Sequence, residues 1–203
     1  MEIYFATTNA GKVQSLQRVL DDYCIAVVQA SIDMPEPRSD DVQEIATAKV
    51  KYAFQQIGKP VVALDAGFYI PSLNGFPRAF VNFALGTIGL EGILRLVEGK
   101  GRHCEFRNCL AYLDETIAEP KYFLSNVKGM LAPEQRGTRH PHQWSDLWFI
   151  FIPEHHSKTL AEMNQEEYEQ WRRVFRDKDS CFNQFAEEFV RVRSATPRSH
   201  GQI

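Results

Sequence analysis

The sequence predicts an α/β fold built on a mixed sheet. Three observations carry that prediction. Short β-branched and apolar runs at Ile3–Phe5, Cys24–Ala30 and Val61–Leu64 alternate with stretches of helical spacing, the mark of strands linked by helices in a parallel arrangement. Two longer strand-like stretches follow, Cys104–Leu113 and Lys121–Leu131, joined by a polar connection with Asp114, Glu115 and Pro120. Strands of that length, so joined, pair antiparallel and extend the sheet beyond its parallel core. The 203 residues suffice for one sizeable domain, expected over residues 1–193, with a polar, flexible tail from Ser194 to the end.

Between the first strand and the first helix stands Thr7-Thr8-Asn9-Ala10-Gly11-Lys12, with Val13, Leu16 and Leu20 continuing at helical spacing. Backbone N–H groups at a helix start, a glycine, two hydroxyls, an amide and a lysine suit a phosphate. An ordinary strand–helix connection with Thr or Asn as N-cap accounts for the same residues. After the second strand and the proline-containing loop at 34–37, Val42, Ile45, Ala46, Val50, Ala53 and Ile57 form one helical stripe starting from Asp40 or Asp41. Lys49 falls inside that stripe, where a lysine either snorkels to the edge or meets an anion. Glu44 by itself reads as a first-turn carboxylate that complements the helix dipole.

Gly58-Lys59-Pro60 ends this helix, and Val61–Leu64 forms a short strand that runs into Asp65-Ala66-Gly67. An acid at a strand end is a candidate for holding a metal or activating water; a turn-forming Asp before Gly is the competing reading. Phe80, Phe83 and Ala84, then Leu90, Ile93, Leu94 and Val97, give two packing helices divided near Gly86–Gly89. Residues 136–143 form a basic, His- and Pro-rich loop expected to be mobile, and Leu147–Ile152 a buried strand ending at Pro153. Asn164-Gln165-Glu166-Glu167 is a capping box opening a helix through Tyr168, Trp171, Val174 and Phe175, and Phe182, Phe185, Ala186 and Phe189 share one face of the last helix.

Composition narrows the function classes. With 23 basic and 26 acidic residues, nothing in the charge calls for nucleic acid. The apolar run Leu147–Ile152 is far too short to span a membrane, and the start lacks a basic, then apolar, leader pattern. The four cysteines lack zinc or redox spacing, which points to a reducing cytoplasm. His140, His142, His155 and His156 read as solvated loop histidines, with no carboxylate pattern to make them metal ligands.

In order and spacing, these pieces resemble the inosine triphosphate pyrophosphatase family over most of the chain. Thr7-x-Asn9-x-x-Lys12 is similar to its phosphate-binding loop, and Glu44 to Lys49 to its acidic helix with a metal ligand and a lysine. Asp65-Ala66-Gly67 resembles the second half of its Asp-Asp-Ser-Gly turn, and Leu73–Phe80 its Leu-x-Gly-x-Pro-Gly-x-Tyr segment. Arg136-Gly137 is similar to the start of the region before its base-binding loop. Phe151-Ile152-Pro153 and Lys158-Thr159-Leu160-Ala161-Glu162-Met163 resemble its Phe-x-Pro and Lys-Thr-x-Ala-Glu-Met.

The resemblance implies a long, twisted mixed β-sheet flanked by helices, two lobes with a central nucleotide cleft, and a homodimer. It implies hydrolysis of a nucleoside triphosphate to the monophosphate and pyrophosphate with Mg²⁺. Asp65, Lys12 and Lys49 would be catalytic, and Thr7, Thr8, Asn9 and Lys12 would hold the phosphates. Trp144 and Asp146 would line the base end, and Glu44 and Asp65 would hold the metal.

Departures from the family bear on the base. Leu64 replaces the first Asp of the pair, Ala66 the Ser, and Arg78 the Gly after Pro77. No Gly-Phe-Gly-Tyr-Asp-Pro loop is present, and Ser180-Cys181-Phe182 stands in place of Ser-His-Arg. Altered base selectivity is the expectation; a nucleotide-binding protein with little turnover is the alternative.

Overall fold

Seven strands among the described residues join in one sheet, and the element order explains the mixture of directions. The computed structural model describes residues 1–35, 37–176 and 180–195. The first part contains β1 (Glu2–Ala6), α1 (Ala10–Leu20), β2 (Ala26–Ala30), α2 (Val42–Ile57), β3 (Val61–Tyr69) and β4 (Pro77–Arg78). The middle contains α3 (Val81–Thr87), α4 (Gly89–Leu96), β5 (His103–Leu113) and β6 (Lys121–Leu131). The last part contains β7 (Phe151–Pro153), α5 (Gln165–Arg176) and α6 (Cys181–Ala195).

Helical crossovers place β1 parallel to both β2 and β3. β3, β5, β6 and β7 are successive antiparallel neighbours: a short connection joins β5 to β6; β4, α3 and α4 stand between β3 and β5; and a longer segment leads from β6 to β7. The strand order is β2-β1-β3-β5-β6-β7, with β4 beside β3. The mixed α/β sheet is therefore as expected, as is the antiparallel extension. Alternate residues of β3 serve opposite faces. Val62 and Leu64 pack with Leu16, Leu20, Phe182 and Phe185 from α1 and α6, whereas Val61 and Ala63 pack with Ala46, Val50 and Ala53 of α2. A third apolar cluster, built on Phe68, Ile93, Leu131, Phe151 and Tyr168, fills the far ends of the long strands.

Three local readings are corrected. β3 does not end at Leu64: Asp65, Ala66 and Gly67 stay in the strand and pair with Cys109, Asn108 and Arg107. Asp and Gly favour turns locally, yet nine consecutive pairings with β5 override that preference. Gly67 is needed there because a Cβ would lie 3.0 Å from the carbonyl oxygen of Arg78.

Leu147–Ile152 is not one strand. Asp146–Phe149 is a 3₁₀ turn opened by Ser145, whose Oγ accepts from Leu147 N, and only Phe151–Pro153 pairs. Leu147, Trp148, Ile150 and Phe151 are all buried, and such a run does not distinguish a strand from a coiled segment by periodicity.

The last helix reaches Ala195, so the expected tail at Ser194 begins inside it; residues 196–203 lie outside the described ones. Among the described residues no helix is long and apolar enough to cross a membrane.

Candidate functional site

A cavity of about 540 Å³ opens where β1 ends and β3 continues, between the apolar cluster under α1 and α6 and the one at the far ends of the long strands. The pairing of β1 with β3 stops at Ala63, so Asp65, two residues on, faces the cavity instead of a neighbouring strand on that side. Its carboxylate is 8% exposed as a residue and takes a 2.7 Å ion pair from Lys49 Nζ. Lys49 reaches it from the stripe of α2 that packs on the sheet, and so meets the anion its position called for.

Next to it in the wall is the start of α1. Asn9 is the N-cap, its Oδ1 accepting from Lys12 N at 3.1 Å, while Thr7 Oγ1 accepts from Asn9 N at 3.1 Å. Thr7, Thr8, Asn9 and Lys12 all line the cavity, and Lys12 Nζ lies 3.5 Å from the carbonyl oxygen of Leu64. Thus the capping reading holds, and the cap fixes a turn whose side chains line the cavity. Leu64 itself is 3% exposed and packs in the core under α1.

Trp144 is also in the wall and is tied to the same helix. Asn9 Nδ2 donates to the carbonyl oxygen of Trp144 at 3.1 Å, and Trp144 Nε1 donates to Ser15 Oγ at 3.2 Å. Gly11 lets this segment approach, since a Cβ there would sit 2.7 Å from the carbonyl oxygen of His142. The indole also meets Phe182 edge-on at 5.8 Å between ring centres.

Two predicted site residues are not brought into the cavity wall. Glu44 is exposed in the first turn of α2, accepting from Ser39 Oγ at 2.7 Å. Asp146 sits in the 3₁₀ turn, paired with Arg139 and accepting from Gln143 Nε2 at 3.3 Å. Sequence reading missed several lining residues. Asn108 and Ser125 are buried polar groups on adjoining strands, with Asn108 Nδ2 donating to Ser125 Oγ at 3.3 Å. A polar residue at an inward position of an apolar strand was the available signal. Phe80 and Phe83, read as packing residues, are exposed at 46% and 70% and line the cavity instead.

The far wall is largely aromatic and thiol, formed by Trp148, Tyr168, Trp171, Arg172, Cys181 and Phe182. Burial pushes the Cys181 thiol up to about 11, and Cys109, opposite Asp65 on β5, up to about 12. Both stay neutral thiols near pH 7.

Behind this wall the loop at 136–143 is pinned rather than loose. Thr138 N donates to the carbonyl oxygen of Ala161 at 2.9 Å, and Gly137, at φ +93°, lies against Ala161. His142, expected in solvent, is 6% exposed and stacks on Tyr168 at 4.4 Å and against Trp148 at 5.6 Å. Burial, then the nearby Arg18 guanidinium, holds His142 below 6.5, so the ring is neutral. Proline and charge made this loop read as exposed; the aromatic partners that bury it lie on α5 and the 3₁₀ turn, remote in sequence.

Comparison with known proteins follows the same outline. The model of the Ham1 family matches residues 3–176. A dITP/XTP pyrophosphatase of Methanopyrus kandleri is 38% identical over 168 residues, 82% of this chain and 87% of that protein. One from Saccharolobus solfataricus is 33% identical over 192 residues, 92% of this chain and 93% of that protein. Among solved structures, a HAM1 protein from Coxiella burnetii superposes with a TM-score of 0.74 at 24% identity, covering 97% of this chain and all of that one. These matches bear out the resemblance and the fold it implied.

Proposed function

Because the chain belongs to the Ham1 family, we propose that it is a metal-dependent nucleoside triphosphate pyrophosphatase with altered base selectivity. Water attacks the α-phosphorus, the bond from it to the α–β bridging oxygen breaks, and nucleoside monophosphate and pyrophosphate leave. The observation that carries this reading is that the Asp65–Lys49 pair and the Thr7–Lys12 turn line one cavity together.

Lys12, with Thr7, Thr8 and Asn9, takes the phosphate oxygens at the start of α1, where the helix dipole favours negative charge. Lys49 adds a second ammonium to balance charge that develops on the leaving pyrophosphate. Asp65 is the group that orients the attacking water and accepts its proton.

A divalent cation such as Mg²⁺ fits the donors present. Among the described residues no three His, Cys, Asp or Glu side chains gather to hold a metal. Mg²⁺ takes one or two carboxylates and completes its shell with water and substrate phosphates. Asp65 would be the ligand in the wall, and Glu44, outside it on the first turn of α2, would be the second carboxylate once it leaves Ser39. When bound, the cation supplies charge neutralisation at the phosphates.

The base end supports the change in selectivity. A buried neutral thiol and a phenyl ring, Cys181 and Phe182, occupy positions where the family has histidine and arginine, so hydrogen-bond readout gives way to apolar contact. Trp144, held by Asn9 and Ser15, offers a flat face for a base. Asp146, outside the wall and engaged by Arg139, would reach substrate only after that contact opens. A homodimer in the cytoplasm completes the reading; the four cysteines are all free thiols, as a reducing setting requires.

The buried Leu64 in place of a carboxylate favours one second reading, a binding protein that has lost turnover. Product analysis separates the two. Inosine triphosphate incubated with the chain and Mg²⁺ should give monophosphate and pyrophosphate in equal amounts. Tight binding without either product selects the second reading, and orthophosphate as the first product rejects both.

A further inference from the structure

Arg78 holds a left-handed backbone, φ +55°, a conformation that disfavours any residue with a side chain. β4 pairs it with Phe68, and its carbonyl oxygen lies over Gly67. From that backbone the guanidinium turns back over Gly75, donates through Nη2 to the carbonyl oxygen of Asn74 at 3.2 Å, and ion-pairs with Asp40. Asp40 is held at a second point, where its carbonyl oxygen accepts from Tyr69 Oη at 3.4 Å. The Tyr69 ring is itself covered by the Arg107 guanidinium, 4.2 Å from its centre.

Asp40 belongs to the lead-in of α2, and its neighbours continue the chain of contacts. Ser39 Oγ accepts from Asp41 N at 3.0 Å and donates to Glu44 at 2.7 Å, while Asp41 caps α2 by accepting from Gln43 N at 2.7 Å. Ile32, Asp33 and Met34 upstream line the cavity, as do the residues directly after Arg78, Ala79 to Phe83. Arg78 and Asp40 therefore join the start of α2 to the hairpin that leads into the wall at Ala79 to Phe83, some forty residues apart in sequence.

We propose that Arg78 is a positioning residue. By clamping Asp40 to the β3–β4 hairpin it fixes the lead-in of α2, and with it Glu44, against the hairpin that leads into the wall at Ala79 to Phe83, before substrate binds. Its bearing on substrate rests on the pyrophosphatase reading; the clamp itself does not. Asp40 and Arg78 are exposed, so the latch is a modest one.

Amide hydrogen exchange of residues 41–45 in the chain without substrate, together with KM and kcat for inosine triphosphate with Mg²⁺, tests it. Arg78→Gly relieves the left-handed strain while removing the guanidinium, and should leave the thermal midpoint unchanged or raised. It and Asp40→Asn should speed exchange at 41–45 about three- to fivefold and raise KM by a similar factor, with kcat within about twofold. Arg78→Lys should fall between, and exchanging the charges, Asp40→Arg with Arg78→Asp, should recover part of both changes.

Unchanged exchange in Arg78→Gly overturns the clamp. Faster exchange with unchanged KM, or a fall in kcat alone, overturns the positioning role. If the native chain hydrolyses no triphosphate, the pyrophosphatase reading fails on its own account. Exchange still decides the clamp in that case, and calorimetric affinity for the triphosphate takes the place of KM.

Discussion

At one end of the cavity, Thr7, Asn9, Lys12, Lys49 and Asp65 stand on a helix start, a helix stripe and a central strand, each fixed by its own backbone element. At the other end, Trp144, Tyr168, Trp171, Cys181 and Phe182 come from a pinned loop and two C-terminal helices, and their contacts are mostly ring on ring. On the proposed reading, the first end, made of charges at set positions, serves phosphate chemistry. The second, made largely of aromatic surface, would then discriminate between bases by shape. The two ends meet at identifiable contacts, Asn9 and Ser15 with Trp144, Gly11 with His142 and Phe5 with Phe182. A chain can alter the second without disturbing the first where the change leaves those contacts in place.

Substitutions at the phosphate end should be severe for every nucleotide. Asp65→Asn removes the proton acceptor and should lower kcat/KM by about 10²- to 10⁴-fold, read by pyrophosphate release, with all bases affected alike. Lys12→Ala should cost about 10²-fold through lost phosphate stabilisation, again independent of base. Loss confined to one base in either variant would break the division between the two ends.

The junction should give a smaller effect of mixed kind. Gly11→Ala puts a Cβ against the His142 carbonyl and must shift the Trp144 segment. It should destabilise the fold by about 1–3 kcal/mol in urea titration and change the ratio of activities between bases.

The smallest effect belongs to the packing behind the far wall. His142 is held below 6.5 by burial, so between that value and its folded value the unfolded chain binds more protons, and stability falls as pH falls. His142→Phe keeps an aromatic ring and removes that titration. Urea unfolding of the native chain at pH 7.5 and 5.5 should show a loss of stability that the variant lacks, with little change at pH 7.5. An equal loss in both would place the titration elsewhere.

That Thr7, Asn9, Lys12, Lys49 and Asp65 belong to one site was legible in the sequence because their signals are local. A helix start after a strand, a lysine inside an apolar stripe and an acid after a buried run each sit within one element. Asp65 was found although its local setting was misread: the turn expected there is strand, since pairing with β5 outweighs the turn preference of Asp and Gly. Glu44 and Asp146 were placed by motif order. Their side chains turn to Ser39 and Arg139, partners that spacing along one segment does not reveal. The burial of His142 and the lining roles of Asn108, Ser125 and Phe83 depend on which elements come together, and Phe83 read as core because exposed phenylalanine is the exception.

Whether phosphate chemistry is kept while base readout is rewritten is read from kcat/KM compared across inosine, xanthosine, adenosine, guanosine, cytidine and uridine triphosphates with Mg²⁺. Monophosphate and pyrophosphate should form from several of them, with efficiencies within about tenfold, as apolar contacts discriminate only weakly. Inosine or xanthosine triphosphate preferred over all the others by a factor of about 10³ or more would contradict a rewritten readout.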